Sequence, residues 1–123
     1  MRFAVALILC AALVAGCGED DEPAATPAPA SVADLVVEVE PGGKGTTVRC
    51  SAEADCPDIA AVKPETFEPT PGDVACTQQY GGPETATVKG TFKGEHVDAG
   101  FSRENGCEIA RWEDARPILE AAR

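Results

Sequence analysis

Large aromatic side chains are scarce in this chain of 123 residues, which has one Trp, one Tyr and four Phe. A chain of this length forms at most one ordinary domain, and so few bulky side chains give it a small hydrophobic core. Small cores are often supplemented by cross-links. The composition therefore predicts one small domain that depends on cross-links for part of its stability.

Basic residues are also few, with 10 Lys and Arg against 21 Asp and Glu, and the formal net charge is −11. Binding to phosphate backbones needs the opposite sign, so we predict no nucleic-acid partner. The acids are scattered, and the single histidine, His96, has no Ser or Cys nucleophile placed to use it. We therefore expect His96 to be a solvated turn residue, and we predict neither enzymatic activity nor a cofactor.

A long apolar run, residues 3–14, follows the single basic residue Arg2 near the N-terminus and leads into Val14-Ala15-Gly16-Cys17. The run is too short for a permanent membrane span and is typical of a targeting segment. The small residues directly before Cys17 resemble the lipobox of bacterial lipoproteins, in which the cysteine is acylated. The alternative is a plain secretory signal that is cut nearby and leaves Cys17 free.

The lipoprotein resemblance implies that residues 1–16 are a signal peptide and that Cys17 carries the lipid. The protein would then be exported and anchored in the cell membrane on its extracytoplasmic side. Residues 17–33 are acidic and then rich in Pro and Ala, with no aromatic residue, which predicts a disordered tether. The folded domain is expected to occupy residues 34–123.

Four cysteines remain in that domain, namely Cys50, Cys56, Cys76 and Cys107. Four cysteines in an exported domain favour two disulfides, for which three pairings exist. A zinc site is the alternative, but the spacings contain no CxxC pair. We therefore predict two disulfides and no metal.

Alternating apolar and polar residues predict two antiparallel hairpins. In the first, Leu35, Val37 and Val39 share one face, and residues 46–50 return with Val48 and Cys50 inward. In the second, a turn at Gly94 and Glu95 sets the register. The predicted pairs are Phe92 with Val97, Gly90 with Ala99, Val88 with Phe101, and Lys93 with His96.

Helical signals are short. Residues 56–62 place Pro57 in a first turn and space Ile59 and Val62 three apart, and Pro64 ends the segment. Residues 107–112 predict a second short helix with Ile109 and the core residue Trp112 on one side. Two further apolar residues, Ile118 and Leu119, are expected to close over the core, and residues 63–73 are interpreted as a loop.

The stretch Cys76-Thr77-Gln78-Gln79-Tyr80-Gly81-Gly82-Pro83 begins with a cysteine that is predicted to be a covalent anchor and ends with turn residues. Polar residues lie between them. This composition predicts a loop that is presented for recognition by another molecule.

The order of these features resembles the bacterial subtilisin inhibitor-like family over roughly residues 34–119. The most specific parts are Asp73-Val74-Ala75-Cys76, Tyr80 four residues after that cysteine, the hairpin at residues 90–94, and Asn105-Gly106-Cys107-Glu108. The resemblance implies an α+β fold, with an antiparallel sheet of about five strands and two short helices on one face. It also implies the disulfides Cys50–Cys56 and Cys76–Cys107, and a homodimer that forms through the sheet.

For function, the resemblance implies an inhibitor of subtilisin-like serine proteases whose reactive bond joins Gln78 to Gln79. Gln78 would be the primary specificity residue, and Cys76, Thr77 and Tyr80 would occupy flanking subsites. The side chain of Asn105 would support the loop backbone. The alternative function is a non-inhibitory lipoprotein module that has the same fold and binds a partner in the cell envelope.

Overall fold

A computed structural model describes residues 31–123 of the protein. The predicted signal peptide, Cys17 and the tether up to residue 30 lie outside the described residues. The elements follow in the order β1 (Ala33–Glu40), β2 (Thr46–Cys50), a 3-10 turn (Glu53–Asp55), α1 (Pro57–Ala60), a second 3-10 turn (Pro64–Phe67), β3 (Thr85–Phe92), β4 (Glu95–Phe101) and α2 (Gly106–Ala121). The domain is therefore α+β, as predicted. Within residues 31–123, no helix combines the length and the apolar character that a membrane span requires.

The strands form one antiparallel sheet in the order β2-β1-β3-β4. The expectation of about five strands is wrong for the described part of the chain, where the sheet has four. Residues 68–84, which connect the second 3-10 turn to β3, form no strand. This connection contains Pro69, Pro71 and Pro83, and proline has no N–H group to donate to a strand ladder.

The alternation of apolar residues along the strands correctly predicted their buried face. Leu35 and Val37 of β1 are at most 1% exposed, and Val48 of β2 is also buried, whereas Val36 on the opposite face is 50% exposed. In β3 and β4, Val88, Phe92, Val97, Ala99 and Phe101 are likewise buried. One face of the sheet therefore covers the core and the other faces solvent.

The register predicted for the second hairpin is wrong by two residues. Phe92 pairs with Glu95, Gly90 with Val97 and Val88 with Ala99, and His96 lies opposite Thr91 instead of Lys93. The turn consists of Lys93 and Gly94, which have φ angles of 48° and 82°. Two successive positive φ angles are typical of a two-residue type I′ turn, whose twist matches the right-handed twist of the flanking strands. Because the error is an even number of residues, every side chain keeps its predicted face.

Gly90 marks a close approach between the two central strands. Its φ is +139°, and a Cβ atom built there would collide with the Asp34 carbonyl and lie 3.1 Å from the Cα of Leu35. No larger residue fits at this position without moving the backbone of β1 away from β3.

The C-terminal helix is longer than predicted. A short helix at residues 107–112 was expected, but α2 has 16 residues and continues through Pro117. Its buried residues are Trp112, Ala115, Ile118 and Leu119, which recur at helical spacing and pack on the sheet. The prediction that Trp112, Ile118 and Leu119 belong to the core is confirmed.

The first short helix and the segment after it complete the core. Helix α1 lies within the predicted residues 56–62, and Ile59 and Val62 are both buried. The predicted loop at residues 63–73 begins with the second 3-10 turn, which places the Phe67 ring 5.1 Å from that of Phe92. Edge-to-face aromatic packing of this kind fixes the start of the long connection against the sheet.

Two disulfides join Cys50 to Cys56 and Cys76 to Cys107, with Cα–Cα distances of 6.1 and 5.3 Å. Both distances lie within the usual range for a disulfide. The prediction of two disulfides, and the pairing that the family resemblance implied, are therefore confirmed. The second disulfide ties the long connection to the first turn of α2.

Candidate functional site

Most of the long connection lies on the surface, and we call residues 71–83 the presented loop. From residue 71 to residue 80 every side chain is exposed except that of Cys76, which is half-buried. Tyr80 and Val74 are 67% and 48% exposed, although large apolar side chains are usually buried. Gln78 and Gln79, the predicted reactive pair, lie between them and are exposed. Residues 77–80 are therefore exposed to solvent, and their recognition by another molecule stays a prediction.

Three cross-connections hold the presented loop to residues 103–107, which we call the anchor segment. The Cys76–Cys107 disulfide is the first. The Gly106 N–H group donates to the Thr77 carbonyl at 3.0 Å, and the Gly81 N–H group donates to the Arg103 carbonyl at 2.7 Å. The anchor segment is short, begins just after β4 and includes the first two residues of α2, so regular structure fixes both of its ends.

These connections fall on both sides of the Gln78–Gln79 bond. Cys76 and Thr77 are held before the bond, and Gly81 is held after it. The three residues between the two hydrogen-bonded positions, Gln78, Gln79 and Tyr80, are all exposed. The arrangement presents a short peptide segment to solvent while both of its ends are attached to the same rigid unit. Such preorganisation lowers the entropy cost of binding.

Gly106 permits the close approach on which the first hydrogen bond depends. A Cβ atom at this position would collide with the hydroxyl of Thr77 and lie 3.2 Å from its Cβ atom. A larger residue would therefore push the loop away from the helix. Thr77, predicted as a subsite residue, has a main-chain role as well, because its carbonyl accepts this hydrogen bond.

Asn105 stabilises the anchor segment by capping helix α2. Its side-chain Oδ1 accepts a hydrogen bond from the Glu108 N–H group at 3.0 Å. The residue that donates to the loop backbone is its neighbour Gly106. The structure therefore places Asn105 next to the predicted contact, where its side chain fixes the start of the helix from which Gly106 donates.

Sequence reasoning missed the contribution of Arg103. Its carbonyl accepts from Gly81, its guanidinium pairs with Glu84 at 3.5 Å, and its Cζ lies 6.0 Å from the centre of the Trp112 ring. The side chain thus lies between the far end of the loop and the core. An arginine in an irregular segment gives no sequence signal for such a role.

The downstream end of the presented loop also packs directly on α2. A Cβ atom at Gly81 would lie 2.9 Å from a side-chain carbon of Ile109, so the loop backbone lies close to that residue. Ile109 was predicted to share a helix side with Trp112. Its contact with Gly81 shows that this side of the helix supports the loop as well as the core.

The chemistry of the site is that of a presented peptide. No charged residue occurs between Cys76 and Pro83. Among residues 31–123, no group of three or more His, Cys, Asp or Glu side chains is arranged to hold a metal ion. The exposed groups are the two glutamine amides, the Thr77 hydroxyl, the Tyr80 ring and the backbone itself.

The chain matches no protein-family model, no curated protein and no solved structure with which it was compared.

Proposed function

We propose that the protein is an inhibitor of subtilisin-like serine proteases that presents the Gln78–Gln79 bond as a rigid, substrate-like segment. The observation that carries this proposal is the attachment of an exposed tripeptide, residues 78–80, to the anchor segment on both sides. Proteases bind substrates as extended segments along a cleft. A segment that is already ordered binds with a smaller entropy cost than a flexible peptide.

The same attachments explain why such a segment would inhibit instead of being consumed. When the protease cleaves Gln78–Gln79, the new carboxyl side stays bound through Thr77 and the Cys76–Cys107 disulfide. The new amine side stays bound through Gly81 and Arg103. The amine of Gln79 therefore remains close to the acyl carbon of Gln78, at a high effective concentration. Attack of this amine on the acyl-enzyme ester re-forms the peptide bond and releases the serine hydroxyl of the protease, and this step competes with hydrolysis and release.

Gln78 is the residue that enters the specificity pocket in this proposal. Its amide is neutral and of medium length, so it suits the broad pocket of a subtilisin-like enzyme better than a pocket that requires a cation. Cys76, Thr77 and Tyr80 occupy the neighbouring subsites, and the exposed Tyr80 ring offers the largest apolar contact on the leaving side. The protein itself carries out no chemistry and needs no cofactor.

The inhibitor acts from the outer side of the cell membrane, held there by lipid on Cys17. Two or three acyl chains on one cysteine give firm attachment, whereas one chain alone gives marginal binding. A homodimer through the sheet is a further part of the proposal. Among the described residues, Val36 is the one large apolar side chain exposed on the open face of the sheet, and its exposure supports a contact there.

The second candidate function is a non-inhibitory module that binds a partner in the cell envelope. The exposed Val36 also supports this candidate, because it lies on the sheet face opposite the one that packs on α2, to which the presented loop is attached. In this case the loop would be a stabilised surface feature without a protease target. The two candidates differ in whether changes at Gln78 alter the inhibition of any protease.

The test is an inhibition assay with residues 31–123 against subtilisin-like, chymotrypsin-like and trypsin-like enzymes. Replacing Gln78 by Leu adds apolar surface to a mostly apolar pocket, so inhibition of the subtilisin-like enzyme should improve roughly 10- to 200-fold. Gln79→Leu is the matched control, because the same change on the leaving side does not enter the specificity pocket. Free digestion of the wild-type domain, or equal effects of the two variants, would contradict the proposal.

A further inference from the structure

Thr70, Glu108 and Arg111 form a connected cluster where the chain enters the presented loop. The Thr70 hydroxyl donates to Glu108 Oε1 at 2.7 Å, and Arg111 Nη1 donates to Glu108 Oε2 at 2.7 Å. Both oxygens of one carboxylate are therefore used. The side chains of Glu108 and Arg111 are only 14% and 15% exposed, so water competes little for these contacts. We call these three residues the brace.

Glu108 departs from the usual behaviour of a residue at its position. Asn105 and Glu108 have the spacing of a capping box, in which the acidic residue reaches back to the N–H group of the capping residue. The Asn105 side chain makes the expected capping contact, in which its Oδ1 accepts a hydrogen bond from the Glu108 N–H group. The Glu108 carboxylate instead bonds to Thr70 and Arg111. A local helix-stabilising contact has been replaced by one that reaches 38 residues along the chain.

Arg111 connects the brace to the rest of the fold. Its guanidinium donates to the Gly100 carbonyl in β4 at 3.3 Å and to the Thr66 carbonyl in the second 3-10 turn at 3.5 Å. Its Cζ also lies 4.8 Å from the centre of the Phe101 ring. The carboxylate that Thr70 contacts is thus fixed by sheet, turn and helix together. A nearly buried ion pair adds little net stability compared with apolar residues, so its value lies more in fixing geometry.

The upstream side of the presented loop has few other attachments. Residues 71–75 are exposed, and the three cross-connections to the anchor segment begin only at Cys76. Thr70 is therefore the last fixed side chain before five exposed residues. If it is released, the freely moving segment extends back towards Phe67, which is packed on the sheet.

We propose that the brace positions the upstream arm of the presented loop, residues 71–75, and thereby determines whether a bound protease is inhibited or digests the loop. Thr70, Glu108 and Arg111 are positioning residues, since they act through the arm and do not touch the protease. The inference rests on the proposed function for its inhibitory consequence. Its structural part, control of the arm by the Thr70 hydroxyl, is measurable without any protease.

The experiment uses the full-length protein in a mild detergent and three variants. Thr70→Val keeps the side-chain shape and removes the hydroxyl, and Thr70→Ser keeps the hydroxyl. Thr46→Val is the matched control, because the Thr46 hydroxyl also donates a hydrogen bond, to the Lys44 carbonyl, but in the hairpin between β1 and β2. For each protein, hydrogen exchange is followed at Val74, whose N–H group donates to the Pro71 carbonyl at 3.1 Å, and in β1 and β3. Inhibition of a subtilisin and the rate of loop cleavage are measured in parallel.

We expect Thr70→Val to speed hydrogen exchange of the Val74 N–H group about tenfold or more while β1 and β3 exchange as in the wild type, since the lost Thr70 bond is to a charged group. The inhibition constant should rise by a similar factor, and cleavage at Gln78–Gln79 should become faster. Thr70→Ser should restore wild-type behaviour, and Thr46→Val should leave the loop unchanged. Unchanged loop exchange in Thr70→Val, or an equal increase throughout the sheet, would overturn the brace.

Failure of this inference and failure of the proposed function give different results. If the wild type inhibits no protease but Thr70→Val selectively speeds hydrogen exchange in the loop, the brace proposal is supported and the inhibitor proposal is wrong. If the wild type inhibits and Thr70→Val inhibits equally well with unchanged loop exchange, the brace falls and the inhibitor proposal stands. Should Thr70→Val fail to fold, Glu108→Gln replaces one carboxylate oxygen by an NH2 donor, so the side chain can no longer accept from Thr70 and Arg111 at the same time. It should produce smaller changes in the same direction, and no change in loop exchange would overturn the brace.

Discussion

Removing the Cys76–Cys107 disulfide should destabilise the domain and abolish inhibition together. The two cysteines are 31 residues apart in sequence, and cross-linking a loop of that size restricts the unfolded chain by about 3.7 kcal/mol at 25 °C. The Cys50–Cys56 disulfide spans a separation of 6, for which the same relation gives about 2.2 kcal/mol. The two bonds therefore differ modestly in stabilisation, but only the first is attached to the presented loop.

The perturbation is the double variant Cys76→Ser, Cys107→Ser, with Cys50→Ala, Cys56→Ala as the control. Serine is suitable at the first pair because both cysteines are half-buried, whereas Cys50 is 2% exposed and alanine avoids a buried hydroxyl there. Unfolding in urea gives the loss of stability for each variant. Inhibition and loop cleavage are then measured at 25 °C, under conditions in which both variants remain folded.

We expect the first variant to be digested as a substrate, because the carboxyl side of Gln78 is then held by the Thr77–Gly106 hydrogen bond alone. The control variant should lose stability and keep its inhibition constant. Inhibition that survives in the folded first variant would refute the reasoning that the disulfide preorganises the reactive segment. Equal loss of inhibition in the two folded variants would show that general stability, not attachment of the loop, controls inhibition.

Three other changes have defined outcomes. Gly90→Ala should lower the free energy of unfolding in urea by on the order of 3 kcal/mol, whereas Gly100→Ala, whose Cβ meets no atom within 4 Å, should cost much less; equal losses would contradict the close approach of β3 to β1. Cys17→Ser should abolish acylation of the protein, which should then leave the membrane fraction; a soluble, unacylated wild type would contradict the prediction of a lipid anchor. Gln78→Lys should shift inhibition towards trypsin-like enzymes, and an unchanged preference would show that Gln78 does not enter the pocket.

The strands were predictable because one short-range signal determines their faces. Alternation placed Leu35, Val37 and Val88 on the buried side without any knowledge of their partners. The hairpin register was not predictable to the same degree, since Gly94 fits a turn that begins at Lys93 as well as one that begins at Gly94 itself. In the structure the turn begins at Lys93, which adopts the left-handed conformation. Lysine has no strong preference for that conformation, so the sequence does not indicate this turn over the other one.

The full length of helix α2 was not predicted because one of its buried positions is a small residue. Its buried positions include Ala115, which carries too little apolar surface to link Trp112 with Ile118 by inspection of the sequence. Pro117 also indicates a helix end, although the fold accommodates it inside the helix. Packing against the sheet outweighs the local signal, so only the first part of the helix was predicted.

The presented loop was predictable as a feature, but most of its supports were not. Cys76 and the Gly81-Gly82-Pro83 turn mark the segment in the sequence, and its exposure follows from its polar composition. The carbonyls of Thr77 and Arg103, which accept the two hydrogen bonds, belong to the backbone and leave no sequence signal. The spacing of Asn105 and Glu108 predicted a helix start, yet not that the carboxylate would reach Thr70.

The most direct test of the inhibitor proposal is to identify the bond that a subtilisin cleaves in residues 31–123. The complex is incubated for a long period at mildly acid pH, and the products are identified by mass spectrometry after reduction. We predict slow cleavage at the Gln78–Gln79 bond alone, with the unreduced, nicked domain still bound to the enzyme and still inhibitory. Rapid cleavage at several sites, or a single cleavage elsewhere in the domain, would contradict the proposal that this bond is the reactive site.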